Sequence, residues 1–247
     1  MITKILHNRT KKMKKSILFD LDGTLLPLNE KVFVDGYFAI LIKKLSKYNL
    51  DSKKLISDIW AGTKRMYMND GKQTNEKVFW DYFLSNGYSL EICQSIQEFY
   101  DTDFSKAKQF CRENPFAKEV VEFAKENFDH VILATNPIFP KRATLERMSW
   151  IGLKESDFEY ISFYENSSFS KPNPIYYTNI LKMFNINPQD ALMVGNNDKE
   201  DYFAATAAGI ETIIIDDNRI KYDDITIEKH CEFKDLKVLL QNNYCNY

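Results

Sequence analysis

Two carboxylates, Asp20 and Asp22, stand two residues apart in Ser-Ile-Leu-Phe-Asp-Leu-Asp-Gly-Thr-Leu-Leu-Pro-Leu, residues 16–28. Neighbouring carboxylates repel each other, and each is costly to desolvate. They are tolerable where a cation or a reacting group needs them. The apolar run Ile17–Phe19 reads as a buried strand, and Gly23 permits a sharp turn after it. Asp22 falls where the strand ends, so it can swing towards Asp20. An ordinary Asp-Gly turn is the plainer reading of the same residues.

Three further segments carry groups suited to an anion or a metal. Thr135 and Asn136, in Ala-Thr-Asn-Pro, place a hydroxyl and a backbone N–H where a phosphate oxygen can be held, although both types also form turns. Lys171, between Ser170 and Pro172, has a path fixed by two prolines and brings a positive charge, or else is a solvated loop lysine. The segment Gly195-Asn-Asn-Asp-Lys-Glu-Asp201 offers oxygen ligands of the kind Mg²⁺ takes, with Asn196, Asp201 and Asp198 as candidates. Asp201 also suits the N-terminus of the helix that follows.

The elements that must position these groups can be read from periodicity. Residues 16–19, 130–134, 160–163, 191–194 and 212–215 read as short strands. Helical patterns lie between them at 116–126, 140–150, 174–184 and 201–208, and 232–240 reads as a terminal helix. Such alternation implies an α/β core, a Rossmann-like parallel sheet with helices on both faces. In open sheets of this kind ligands sit outside the C-terminal strand ends, where all four segments fall. From Lys31 to about Gln109 the pattern is helical throughout. Asp51 and Thr74 look like helix starts, and Gly71 and Gly87 look like interruptions. The expected division is a catalytic core of residues 16–29 and 111–247, a helical cap of 30–110 standing over the carboxylates, and a basic extension of 1–15, with Met13 as an alternative start.

The bulk properties exclude several classes. A net charge of −2 with 28% charged residues provides no global field for nucleic acid or a membrane surface. No apolar run reaches the roughly 18 residues of a membrane helix, and the N-terminus lacks a signal-peptide core. The four cysteines, at 93, 111, 231 and 245, have no metal-ligand spacing and read as reduced thiols of a cytoplasmic protein.

With these segments in this order, the chain from Lys15 to Leu240 resembles the haloacid dehalogenase superfamily, in particular its magnesium-dependent phosphatases. The matching motifs are residues 19–26, Thr135-Asn136, Lys171-Pro172 and Gly195 to Asp201. The resemblance implies that Asp20 is the nucleophile, forming an aspartyl-phosphate, and that Asp22 is the acid and base. It implies that Thr135, Asn136 and Lys171 hold the phosphoryl group, and that Asp20, Asp22, Asn196 and Asp201 serve Mg²⁺. Dehalogenating members lack the second carboxylate, so Asp22 favours phosphoryl chemistry. The departure is Asn196, where the family commonly has Asp. The expected function is hydrolysis of a small phosphorylated metabolite. A phosphoryl-transfer mutase and a catalytically silent binding protein are the alternatives. Trp60, Lys64, Arg65 and Tyr67 form an aromatic and basic cluster that either faces the site or divides between a packed and a solvated helix face. Neither the substrate nor the oligomeric state follows from the sequence.

Overall fold

A computed structural model describes residues 14–223 and 226–245. Residues 1–13, including Met13 and most of the expected N-terminal extension, lie outside the described residues. Lys14 is buried: its ammonium donates to the Gln189 carbonyl (2.7 Å) and pairs with Glu211 (3.1 Å).

Among the described residues the strands are β1 (Ser16–Phe19), β2 (His130–Leu133), β3 (Tyr160–Ile161), β4 (Ala191–Gly195), β5 (Glu211–Ile215) and β6 (His230–Cys231). They form one parallel sheet in the order β3-β2-β1-β4-β5-β6. β1 is central, with Phe19 in register with Leu133 on one side and Val194 on the other. All four of its residues are buried, as the two covered faces of a parallel sheet require. Alternation along β1 assigns the faces. Ile17 and Phe19 belong to the core under α5 (Ala117–Asn127), α6 (Lys141–Ser149) and α9 (Leu236–Tyr244). Leu18 packs with Ile132 and Met193 under α7 (Pro174–Met183) and α8 (Ala204–Ala207).

Between β1 and α5 the chain forms α1 (Glu30–Leu45), α2 (Ser52–Tyr67), α3 (Asn75–Ser85) and α4 (Leu90–Thr102). Side-chain caps begin all four: Asn29, Asp51, Thr74 and Ser89 accept backbone N–H groups of the first turn. Phe33, Tyr37, Leu41 and Leu45 of α1 and Leu55, Ile59 and Met66 of α2 are buried, as their helical spacing requires. Gly71 and Gly87 have positive φ at the breaks between helices.

The differences from the periodicity are local. β6 has only two residues and no apolar run to announce it, so the sequence shows five strands where six pair. The helix expected from residue 201 is preceded by a π-helical turn over Asp198–Phe203, and α-helix resumes only at Ala204. Such turns are frequent at functional sites, and this one carries Asp201. Cys93, Cys111 and Cys231 are free thiols. Among the described residues no helix is long and apolar enough to cross a membrane.

Candidate active site

The parallel register of β1, β2 and β4 brings their C-terminal ends to one edge, and Asp20 lies at its centre. The Asp20 N–H bonds the Val194 carbonyl (2.9 Å), and the Ala134 N–H bonds that of Phe19 (2.8 Å). Its side chain is buried, with Oδ1 accepting from Lys171 Nζ (2.8 Å) and Oδ2 from Thr24 Oγ1 (3.2 Å). Burial raises the Asp20 pKa to about 7 against the pull of Lys171.

Lys171 is fully buried and bridges Asp20 to Asp201 (2.6 Å). Burial alone would lower its pKa, but the two carboxylates outweigh this and hold it well above the usual lysine range. Asp201 is committed on both oxygens: Oδ1 accepts from Lys171, and Oδ2 accepts the N–H groups of Asn196 and Asn197 (3.0 Å each). That inward turn of Asp201 requires Gly195, where a Cβ would lie 2.2 Å from the Asp201 carboxyl carbon.

Gly23 fixes the approach of the first loop to the loop after β4. It has φ +84°, and a Cβ there would meet Asn196 Nδ2 at 2.2 Å. Thr24 Oγ1 lies within hydrogen-bond reach of both Asp20 Oδ2 and Asn196 Oδ1 (3.0 Å). One carboxylate oxygen and one amide oxygen therefore converge on a single point. Asn196 Nδ2 is held by the Asn218 carbonyl (2.7 Å), which turns the amide oxygen inward. Asp198 lies apart from this group, in an ion pair with Arg219 (2.8 and 3.1 Å). Hard oxygen donors around one carboxylate fit Mg²⁺, which keeps several waters and substrate oxygens. Among the described residues no trio of His, Cys, Asp and Glu is arranged for a metal. Asp20, Asn196 and a backbone carbonyl would not constitute one.

Asp22 points to a residue that no motif marks. Arg147, on the buried side of α6, donates to Asp22 Oδ2 and stacks 4.4 Å from the Phe139 ring centre. Burial raises the Asp22 pKa and Arg147 opposes that. The other oxygen, Oδ1, is buried without a hydrogen-bond partner, as is Asn136 Oδ1. Stranded polar atoms are rare in folded chains, and these two lie at the same sheet edge. Thr135 is buried beside Asn136, whose Nδ2 donates to Glu200 Oε2 (2.9 Å). Burial raises the Glu200 pKa to about 8, with Lys171 opposing and Asp201 and Asp20 reinforcing the rise. Glu200 was unmarked for the same reason as Arg147: it matters through contacts made by folding. Arg147 had one faint signal, an arginine at the spacing of the buried Ala143, Thr144 and Met148.

A cavity of about 790 Å³ opens over Asp20 and Asp22 and runs between the sheet edge and α1–α4. Thr135, Asn136 and Asn196 line it too. Of the cluster on α2, Trp60 and Tyr67 line the cavity, while Arg65 lies over the Tyr82 ring (4.7 Å) and Lys64 is exposed. The cluster thus divides, with its aromatic part towards the site.

The profile of the haloacid dehalogenase-like hydrolases matches residues 17–215. The chain is 26% identical over 203 residues to the phosphorylated carbohydrates phosphatase of Thermotoga maritima, covering 81% of this chain and 83% of that one. It is 26% identical over 208 residues to the glyceraldehyde 3-phosphate phosphatase of Pyrococcus furiosus, covering 81% and 79%. Among solved structures, the 2-haloacid dehalogenase of Pseudomonas syringae superposes with a TM-score of 0.65 at 19% identity, over 93% of this chain and 99% of that one.

Proposed function

The chain belongs to the haloacid dehalogenase-like hydrolase family, and on that premise we propose that it is a magnesium-dependent phosphatase of small phosphorylated metabolites. One observation carries the reading. Asp20 stands at the central strand end with Lys171 on one carboxylate oxygen and Thr24 on the other, facing the cavity. Both curated relatives are named as phosphatases, which supports the same reaction class.

In this mechanism a carboxylate oxygen of Asp20 attacks phosphorus as the ester P–O bond breaks, giving an aspartyl-phosphate. Asp22 protonates the departing alkoxide, then takes a proton from the water that attacks phosphorus, and Asp20 is regenerated. The Thr135 hydroxyl and the Asn136 N–H hold phosphoryl oxygens, and Lys171 offsets charge at the nucleophile. Arg147 holds the Asp22 side chain at the cavity wall. An Asp20 oxygen, the Asp22 carbonyl and Asn196 Oδ1 would hold Mg²⁺, with Asp201 acting on Asn196 through its backbone. When bound, Mg²⁺ supplies charge neutralisation at the phosphoryl oxygens. The catalytic core is residues 16–29 and 111–247, and residues 30–110 serve as the cap.

The test is phosphate release from p-nitrophenyl phosphate with and without Mg²⁺, for the native chain and Asp20→Asn. Metal-dependent turnover that falls by roughly a thousandfold or more in Asp20→Asn is expected. Turnover unchanged in Asp20→Asn would show that the nucleophile is elsewhere.

A further inference from the structure

The walls of the cavity are unlike its floor. Away from the carboxylates it is lined by the rings of Phe33, Tyr37, Trp60, Phe79, Trp80 and Tyr164. The hydroxyls of Tyr37 and Tyr164 and the indole N–H of Trp80 are paired with one another or with a neighbouring ring. Tyr37 and Tyr100 share a hydroxyl–hydroxyl bond (2.9 Å), and Trp80 Nε1 donates to the Tyr164 hydroxyl (3.3 Å). What the walls present is therefore largely ring surface. Asn29, Thr63 and Asn218 also line the cavity, but against the rings themselves a polyol would surrender water from its hydroxyls for few new partners, whereas a flat apolar group would bury area and stack.

Charge along the same walls points the same way. The described cations lining the cavity outside the floor are Lys31, Arg112 and Arg219. Lys31 is exposed and bonded to Asp35 (2.6 Å), and Arg112 is exposed and bonded to Asn218 (2.6 Å). Arg219 is taken by Asp198. Glu30, Glu200, Asp216 and Asp217 also line the cavity. A second anionic group on the substrate would meet four acids, with Lys31 and Arg219 already held by carboxylates and Arg112 bonded to a neutral amide.

We propose that the substrate is a monophosphate ester of a neutral, ring-bearing aromatic alcohol, with the ring held among the cap aromatics. This rests on the phosphatase reading above. Tyr67 marks the junction of the two parts, since its hydroxyl accepts from Asn136 Nδ2 (3.4 Å) beside the phosphate-holding residues. The ring is a specificity element, held apart from the ester bond over Asp20.

Three unactivated esters separate the possibilities: benzyl phosphate, glycerol 3-phosphate and 3-phosphoglycerate, compared by kcat/KM with saturating Mg²⁺. Benzyl phosphate is expected to exceed glycerol 3-phosphate by about tenfold or more, an aromatic contact pair being worth a factor of that order. The anionic 3-phosphoglycerate is expected to be poorest. Glycerol 3-phosphate or 3-phosphoglycerate equalling benzyl phosphate overturns the inference while leaving a phosphatase. No hydrolysis of any of the three, nor of p-nitrophenyl phosphate, overturns both. A second comparison uses Trp60→Ala, whose side chain lines the cavity yet is 46% exposed, so that folding tolerates its loss. Its loss on benzyl phosphate should exceed its loss on glycerol 3-phosphate by about fivefold. Equal losses on the two esters count against the aromatic subsite.

Discussion

Asn75 is fully buried at the start of α3, yet its amide reaches the loops of the α/β sheet edge. Nδ2 donates to the Pro137 carbonyl and to Ser170 Oγ (3.0 Å each), and Oδ1 accepts from Asn69 Nδ2 (2.9 Å). Pro137 directly follows Thr135-Asn136, and Ser170 directly precedes Lys171. One side chain of the helical block thus ties together two of the loops assigned to the phosphoryl group. In Asn75→Ala, Asn69 keeps its bond to Gln73 and Ser170 keeps a long one to Met66. The Pro137 carbonyl loses the amide. Lost bonds with surviving alternatives cost about 1 kcal/mol each, and a stranded buried carbonyl about 1–3 kcal/mol. The expected destabilisation is therefore about 3–5 kcal/mol in urea unfolding, with a fall in Tm of about 10 °C for a chain of this size. Activity should suffer beyond stability, because both loops lose their anchor. The control is Leu181→Ala on α7, buried in the core on the opposite face of the sheet from α5 and α9. At a temperature where both variants are folded, kcat/KM for p-nitrophenyl phosphate should fall about tenfold or more only in Asn75→Ala, as misplaced reacting groups do. A Tm change below about 2 °C would refute the hydrogen-bond argument. Equal kcat/KM losses in the two variants would refute the anchoring role.

Other substitutions probe single groups. Asn196→Asp should lower the Mg²⁺ concentration needed for half-maximal activity, because it adds a negative charge beside Asp20. It should also lower Tm, because its carboxylate would face the Asn218 carbonyl that Asn196 now bonds. An unchanged metal requirement would argue against Asn196 as a ligand. Glu200 has its pKa raised by folding from 4.5 to about 8. The folded state therefore binds more protons than the unfolded one in that window, so its contribution to stability is complete below pH 4.5 and is lost as pH rises through 8. Glu200→Gln should lose stability less steeply than the native chain over this window, by at most about 1.4 kcal/mol per pH unit. Parallel urea-derived profiles would contradict the assignment. In Arg147→Met the group that opposes the raised Asp22 pKa is gone. The limb of the pH–activity profile that Asp22 governs should then move to higher pH. A limb that stays put would mean Asp22 leaves Arg147 before it reacts.

Much of this protein is legible in its sequence because the deciding forces are local. A short apolar run bounded by turn signals fits a buried strand, with its length and flanking residues deciding against a helix. The alternation of such runs with helical periodicity admits few arrangements other than a parallel sheet, and such a sheet collects its strand ends at one edge. Asp20, Asp22, Thr135, Asn136, Lys171 and Asn196 could be placed at that edge on this argument from the sequence alone. The helix caps at Asp51 and Thr74 are equally local, each a side chain bonding its own first turn.

What tertiary structure alone decided depends on partners far apart in the chain. Asp198 and Asp201 are acids of one short loop, and although helix position and the resemblance favour Asp201, neither shows what each side chain will meet. Folding gives the first to Arg219 and the second to Lys171 and two backbone amides. Arg147 and Asp22 lie 125 residues apart and Asn75 and Ser170 lie 95 apart, so no periodicity connects them. The aromatic residues of α1–α3 carry the helical spacing of an ordinary core. Only their placement over Asp20 leaves some of them facing a cavity, because periodicity shows which face of a helix is apolar and not what that face will enclose.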